Sequence, residues 1–463
     1  MLRLILISLV TLAGCTQSSS ESPSNSAGIG AGLDKALARP NIVVFLADDM
    51  GAADLNSEIR TPSLDRLAAE GIRLNRNYVQ PLCTPTRASL LTGRVPIRFG
   101  LQYRPLRPWD THGLSTDELL LPEILQEVGY RTACIGKWHL GHGQAKHHPN
   151  NRGFDSFYGL ITGAHNYFTH ERGGALDWQR DGTSLKEEGY STDLLGAEAE
   201  RFVRAQADSE RPFFLFVPFN APHSPLLAPP DLIAHYSEGN SERRATYMAM
   251  VEAMDSAMGR VLAALDETGV SKNTIVLFLN DNGGARIEGA SNKPLRGGKG
   301  SSFEGGIRVP AIARWPNKFP AGATTEQVVS AQDWMPSLLT SCGLPIPDNL
   351  DGQNIFPSLS GNNILPRKDL FFGTISEKGW YLALLDGDDK YLRRVLPDGR
   401  KAEKLFNVAN DPEEEKDLSK LEPEKFEAMK ARALAWHALD PNGDPVMVTD
   451  APDGWTVPED WAR

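Results

Sequence analysis

The sequence predicts an α/β protein, with a large, mostly parallel central sheet flanked by helices and a smaller C-terminal subdomain of antiparallel sheet and helix. Three observations predict it. Between residues 41 and 340, short apolar runs alternate with segments of helical periodicity, as strands crossed over by helices do. The runs are apolar on consecutive residues, the mark of strands buried on both faces. Beyond about 340 the pattern changes to short strand-like runs joined by tight turns, followed by one amphipathic stretch.

Taken in order, the chain begins with Met1-Leu2-Arg3 and LILISLVTLAG, a basic start and an apolar stretch that read as an export signal. The stretch ends in Leu12-Ala13-Gly14-Cys15, which resembles a bacterial lipobox and implies cleavage before Cys15 and lipidation of that residue. The alternative is a plain signal peptide with an incidental cysteine. Residues 15–39 are rich in Ser and Gly and read as a flexible tether. The expected organisation is thus a lipoprotein signal peptide (1–14), a tether (15–39), a catalytic domain (40–340) and a C-terminal subdomain with a tail (341–463). No apolar run reaches the ~18 residues that a spanning helix needs, so contact with a membrane is expected through the lipid anchor only. The body would lie outside the cytoplasm, in the periplasm or at the cell surface.

Strands are predicted in NIVVFLADDM (41–50), YRTACIGKWHLG (130–141), PFFLFVPFNAPHSP (212–225) and NTIVLFLNDNGG (273–284), with helices at 62–70, 116–128, 192–207 and 243–268 between them. In the C-terminal part, 369–375, 380–394 and 402–408 read as antiparallel strands and 423–439 as a helix.

The net charge of −11 is spread along the chain, which excludes a nucleic-acid partner, because phosphate contacts need clustered Lys and Arg. Four cysteines, Cys15, Cys83, Cys134 and Cys342, are too few and too scattered for a disulfide framework. Cys134 and Cys342 fall in apolar segments and are expected to be buried and unbridged.

The predicted strands all end in chemistry. The first ends in Asp48 and Asp49, the second in Lys137 and His139, the third in His223, and the fourth in Asp281 and Asn282. Ligands of open α/β sheets bind beyond the carboxyl ends of the strands. Asp48, Asp49, Asp281 and Asn282 offer hard oxygen atoms, which suit Ca²⁺ or Mg²⁺ better than zinc. Lys137, His139, His223 and a lysine from the glycine-rich segment 296–306 add positive charge and proton-transfer capacity. A hard cation ringed by Lys, His and Arg describes a pocket for a sulfate or phosphate ester.

One further segment is Cys83-Thr84-Pro85-Thr86-Arg87-Ala88-Ser89-Leu90-Leu91-Thr92-Gly93. It places a cysteine at a helix start, with Arg87 one turn later on the same face. A redox thiol of lowered pKa is the plain alternative, but it leaves the metal ligands and the lack of a resolving cysteine unexplained. The segment resembles the sulfatase signature C-x-P-x-R, and Gly136-Lys137-Trp138-His139 resembles a shortened form of the second hallmark of that family. The resemblance, to arylsulfatases of the N-acetylgalactosamine-4-sulfatase-like branch within the alkaline-phosphatase-like superfamily, extends over about residues 40–420. It implies that a maturation enzyme oxidises Cys83 to formylglycine (3-oxoalanine), whose hydrate is the nucleophile. It also implies one Ca²⁺ held by Asp48, Asp49, Asp281 and Asn282, with residue 83 or a sulfate oxygen completing the shell. Arg87 would orient the hydrate, Lys137 and Lys299 would hold sulfate oxygens, His223 would protonate the leaving alcohol, and His139 would take the proton that lets sulfate depart. Lys299 competes for its role with Lys293, Arg296 and Arg308.

The implied activity is sulfate-ester hydrolysis on a sulfated polysaccharide or oligosaccharide. The alternatives are a phosphodiesterase or phosphonate monoester hydrolase of the same superfamily, and a calcium-holding, non-catalytic solute-binding lipoprotein. Trp109, Trp178, Trp380, His147, His148, His165 and His170 are candidates for the mouth of the pocket.

Overall fold

The structure is a computed structural model that describes residues 39–55, 58–361, 363–367 and 369–462. The signal peptide, Cys15 and all of the tether except Arg39 lie outside the described residues. Among the described residues, no helix is long and apolar enough to cross a membrane.

The four expected strands form as β1 (Asn41–Ala47), β3 (Arg131–Ile135), β5 (Phe213–Pro218) and β6 (Thr274–Asn280). The sequence pattern missed three more. These are β2 (Ile72–Tyr78), β4 (Ser156–Gly159) and β7 (Arg308–Arg314). Strand β2 carries Arg and Asn among its apolar residues. Strand β7 contains Pro310, a residue that argues against a central strand and sits here where the register shifts between Val309 and Ala311.

With short edge strands, these build an eleven-stranded sheet whose long members run in the order β2, β7, β6, β1, β5, β3, β4. Strands β6, β1, β5, β3 and β4 are mutually parallel; β7 runs antiparallel to both β6 and β2. Strand β1 therefore has a parallel neighbour on each side, the expected mostly parallel centre.

Both faces of that centre are dry. Along β1, Val43, Phe45 and Ala47 enter one core while Ile42, Val44 and Leu46 enter the other. The first core is closed by α1 (Pro62–Glu70), α4 (Ser191–Gln206) and α5 (Glu242–Glu267). The second is closed by α2 (Cys83–Thr92), α3 (Leu121–Glu127) and α6 (Trp334–Ser341). Cys134 and Cys342 are both buried and unbridged, as expected.

The C-terminal runs form the antiparallel sheet β8 (Leu370–Ser376), β9 (Gly379–Asp386), β10 (Asp389–Val395) and β11 (Lys401–Asn407), followed by α7 (Pro423–His437). The single stretch 380–394 turns back at Gly387-Asp388, and Gly387 takes φ +61° there. One face of this sheet packs with Tyr78 and Ile307, and the other with Met429, Ala433 and Trp436 of α7.

A buried ion cluster joins this sheet to the main one. Lys390 Nζ lies 2.9 Å from Glu304 Oε1 and 2.9 Å from Glu414 Oε1, and all three side chains are buried. The Tyr78 hydroxyl donates to Glu304 Oε2 at 2.9 Å, and the Glu304 N–H donates to Glu414 Oε2 at 2.6 Å. Burial opposes the lysine's charge, but the two carboxylates hold its pKa above the ordinary value. Removing one partner from such a cluster leaves uncompensated buried charge. Lys390→Met is expected to cost about 3–5 kcal/mol, read as a lower urea midpoint. A midpoint equal to that of the native protein would show that the lysine clamps nothing.

Candidate active site

The site is assembled at the carboxyl ends of the parallel strands. In register, Ala47 of β1 faces Asn280 of β6, so the next residues, Asp48 and Asp281, are carried side by side. On the other side, Leu46 faces Pro218 of β5, and the Asp48 N–H donates to the Ala221 carbonyl at 3.1 Å. This draws in the loop that bears His223. Strand β3 pairs with β5 and ends at Gly136, where a Cβ would lie 2.1 Å from the Pro218 oxygen. Lys137 and His139 follow. Asp49 (φ +71°) and His139 (φ +57°) both occupy the left-handed region, a conformation that non-glycine residues tend to hold at functional sites.

Helix α2 brings Cys83 and Arg87 from beneath. The helix is buried all round, and Gly93 (φ +65°) ends it with its N–H donating to the Ser89 carbonyl. The Arg87 side chain is fully buried. Its Nε and Nη2 donate to Asp281 Oδ2 at 3.0 and 2.8 Å, Nη2 also reaches Asp48 Oδ2 at 3.2 Å, and Nη1 donates to the Lys137 carbonyl at 2.7 Å. The Lys137 ammonium also donates to Asp48 Oδ2, and the Lys299 ammonium to Asp49 Oδ2 at 2.7 Å. Lys299 is thus the member of its loop that reaches the carboxylates. Lys293 and Arg296 instead line the cleft, while Arg308 donates to the Asn75 carbonyl.

The electrostatics follow from these contacts. Burial would raise the Asp48 pKa, but Lys137, His223, Arg87 and Lys299 together hold it far below the usual carboxylate range. Burial and the neighbouring Asp48 charge push Asp281 up to about 7. Burial raises the Cys83 thiol. It lowers His139 well below the imidazole range and, with Lys299, lowers His223 to about 4.

The donor set fits a hard cation. Among the described residues, Asp48 Oδ1, Asp281 Oδ1 and Asn282 Oδ1 are buried oxygens with no hydrogen-bond partner, although the other oxygen of each carboxylate is fully engaged. Leaving several acceptors bare inside a protein is costly unless something else satisfies them. Ligand atoms of Asp48, Asp49 and His223 also lie within 4.8 Å of one another. The Asn282 amide donates to Asp49 Oδ1 at 2.6 Å, which turns its own oxygen free.

Cys83 faces this centre, with its Sγ 3.3 Å from His139 Nδ1. The other ring nitrogen, Nε2, lies 3.0 Å from the Leu106 carbonyl. A carbonyl only accepts, so Nε2 carries the proton and Nδ1 presents its lone pair to residue 83. Gly163 makes room for this ring, since a Cβ there would sit 2.5 Å from His139 Nε2. His223 Nδ1 lies 2.6 Å from the Ser224 carbonyl, leaving Nε2 to face Asp49 Oδ2 at 3.7 Å.

Above these groups opens a cleft of about 1370 Å³ whose lining includes Cys83, His139, His223 and Lys299. Its walls are cationic, with Arg107, Arg172, Arg286, Lys293, Arg296, Lys378 and Arg394 against the single acid Glu377. The sequence reading missed most of these residues, because they come from six separate loops and strands and form no run. The expected aromatic and histidine mouth is a correction. Trp178 is fully buried and donates to Glu187 Oε2 at 2.8 Å, Trp109 packs edge-on against Trp455, and Trp380 stacks on His437. His147, His148, His165 and His170 are buried packing residues, and none of the seven lines the cleft.

A family model described as Sulfatase matches residues 40–344. Arylsulfatase J of Mus musculus is 37% identical over 345 residues, 72% of this chain and 58% of that protein. The chain therefore spans little more than half the length of that relative. N-acetylgalactosamine-6-sulfatase of Homo sapiens is 34% identical over 373 residues, 74% of this chain and 70% of that protein. Among solved structures, Ps i-CgsB in complex with k-i-k-neocarrahexaose superposes with a TM-score of 0.82 at 34% identity, covering 87% of this chain and 93% of that one. PsFucS1 sulfatase from Pseudoalteromonas sp. superposes with a TM-score of 0.73 at 28% identity, covering 88% and 92%. With a family model over most of the chain and relatives above 30% identity, this chain belongs to the sulfatase family of enzymes.

Proposed function

We propose that the protein hydrolyses sulfate esters of carbohydrates, using a formylglycine formed from Cys83 and one Ca²⁺. The observation that carries the reading is the set of buried oxygens without partners on Asp48, Asp281 and Asn282, beside Cys83 and among Lys137, Lys299, His139 and His223. Support for a carbohydrate comes from relatives named as N-acetylgalactosamine-6-sulfatases and from a structural neighbour bound to a neocarrahexaose.

Asp48, Asp49, Asp281 and Asn282 would hold the calcium, which supplies fixed divalent charge against the sulfate oxygens. Oxidised to formylglycine and hydrated, residue 83 would supply a nucleophilic oxygen and a second hydroxyl with a proton to lose. His139 accepts that proton at Nδ1, since its Nε2–H is committed to the Leu106 carbonyl. His223, once charged as the imidazolium, would deliver its Nε2 proton to the leaving alcohol and return to the neutral ring, whose Nδ1–H stays committed to the Ser224 carbonyl. Lys137 and Lys299 present charge to the sulfate, and Arg87 fixes the rotamers of Asp48 and Asp281 from behind. Preorganised charge of this kind usually supplies the largest catalytic share. We further propose an exported lipoprotein held to a membrane through Cys15, on the strength of the Leu-Ala-Gly-Cys sequence alone.

Three outcomes are expected. Asp281→Ala lowers kcat by ~10²–10³ or more and loses bound calcium by elemental analysis, and chelation of the native protein does the same until Ca²⁺ is returned. Full activity in metal-free protein would overturn the calcium assignment. Active protein carries an aldehyde at position 83, seen as hydrazide labelling and as a peptide lighter than its cysteine form. Cys83→Ala removes turnover while calcium still binds. An alkylatable thiol at Cys83 in fully active protein would refute the mechanism, and preference for aryl phosphate diesters over aryl sulfates would favour the phosphodiesterase alternative. Cys15→Ala abolishes fatty-acid labelling and releases the protein from membranes. Continued labelling would refute the anchor.

A further inference from the structure

Among the described residues, two arginines of the cleft that holds Cys83 have no counter-ion. Arg107 follows Leu106, whose carbonyl faces His139 Nε2 at 3.0 Å and whose N–H donates to Thr84 Oγ1 at 3.2 Å. The Arg107 N–H donates to Asp110 Oδ2 at 2.6 Å, which closes a local turn and fixes the backbone next to Leu106. Arg172 arrives on the opposite strand of a small hairpin. Its Nη1 donates to the Ala164 carbonyl at 3.0 Å and lies 3.4 Å from Thr162 Oγ1, while its own carbonyl accepts from Trp461 Nε1 at 3.3 Å. Both side chains line the cleft with Cys83 and His139.

Among the described residues, neither guanidinium forms an ion pair. Arg107 Nε is buried and has no hydrogen-bond partner. The carboxylate whose field reaches Arg172 is Asp177, but its oxygens are engaged by the Ile161 N–H, the Thr162 N–H and the Thr162 hydroxyl. Burial first, and the Arg107 charge in addition, lower the Arg172 pKa. Two like charges held together in a partly buried wall are unfavourable on their own. They become favourable when one oxyanion accepts from both, and guanidinium forks suit such an anion. Neither arginine is needed to explain the metal ligands, the nucleophile or the proton transfers.

We propose that Arg107 and Arg172 form a second oxyanion subsite, which selects sulfated sugars bearing a further sulfate or carboxylate beside the ester that is cut. The subsite rests on the sulfatase reading for its substrate but not for its binding chemistry. An acidic chain with a net charge of −11 concentrates cations in this cleft, and that local field is what a multiply charged sugar would meet.

The test compares three sugars of equal length: a monosulfate, the same sugar with a second sulfate, and the same monosulfate with a uronate in place of a neutral ring. For the native protein, kcat/KM for a doubly charged sugar should exceed that for the monosulfate by about 10- to 100-fold, the range for one hydrogen bond to a charged group. Whichever of the second sulfate and the uronate is preferred identifies the anion. In Arg107→Gln and Arg172→Gln the ratio should fall toward one, with the change carried by KM, and Arg172→Lys should restore part of it. Arg107→Gln keeps the test sound if Arg172→Gln folds poorly, because among the described residues the Arg107 Nε has no hydrogen bond to lose. A native ratio near one, or a ratio unchanged in Arg107→Gln, would overturn the subsite. If no sugar released sulfate, but calorimetry showed the disulfate binding more tightly to the native protein than to Arg107→Gln, the sulfatase reading would fail and the subsite would stand.

Discussion

Everything at the site depends on bringing like charges together where water cannot screen them. Asp48 and Asp281 leave adjacent parallel strands in register, and a buried pair of carboxylates repel strongly at that separation. Three cations inside the protein make the pair tolerable: Arg87 bridges both, Lys137 holds one oxygen of Asp48, and Lys299 holds Asp49. Each uses only one side of its carboxylate. Among the described residues the opposite oxygens of Asp48 and Asp281 stay bare, while that of Asp49 accepts from the Asn282 amide, so the arrangement that stabilises the acids also leaves them able to bind a cation.

The fold meets this demand by geometry. A parallel sheet delivers successive strand ends to one edge, and crossovers on both faces leave that edge open. Helix α2 then enters from the second core, so that its first residue, Cys83, reaches the carboxylates and its fifth, Arg87, lies behind them. The positive φ at Asp49 and at His139 turns each chain sharply at the end of its strand segment. The acidic surface and the cationic cleft are not in conflict, since the net charge sets the far field and the lining sets the near one.

The sequence made legible the strands that carry chemistry, because both-face burial writes an unbroken apolar run and the reactive residues stand directly after it. Strand β7 was hidden by Pro310, and β2 by its polar residues, of which Arg73, Asn75 and Arg76 are at least partly exposed and Asn77 is buried. The donors Asp48, Asp49, Asp281 and Asn282 could be found from position alone. The cleft cations could not, because Arg107, Arg172 and Arg394 meet only through tertiary structure. The aromatic candidates misled for the opposite reason: a tryptophan in a loop segment carries no sign of whether it faces out or, like Trp178, fills the core below.

The clasp among Glu304, Lys390 and Glu414 bears on the order in which a growing chain can mature. Asp48, Asp49, Asp281, Asn282, His139, His223 and Lys299 are all synthesised before Lys390, so a nascent chain possesses the whole cluster while the segment bearing Lys299 still lacks its fastening. Cys83 ends nearly sealed, at 2% exposure. In the proposed reading, an enzyme that modifies this thiol would reach it most easily before the chain has closed around it.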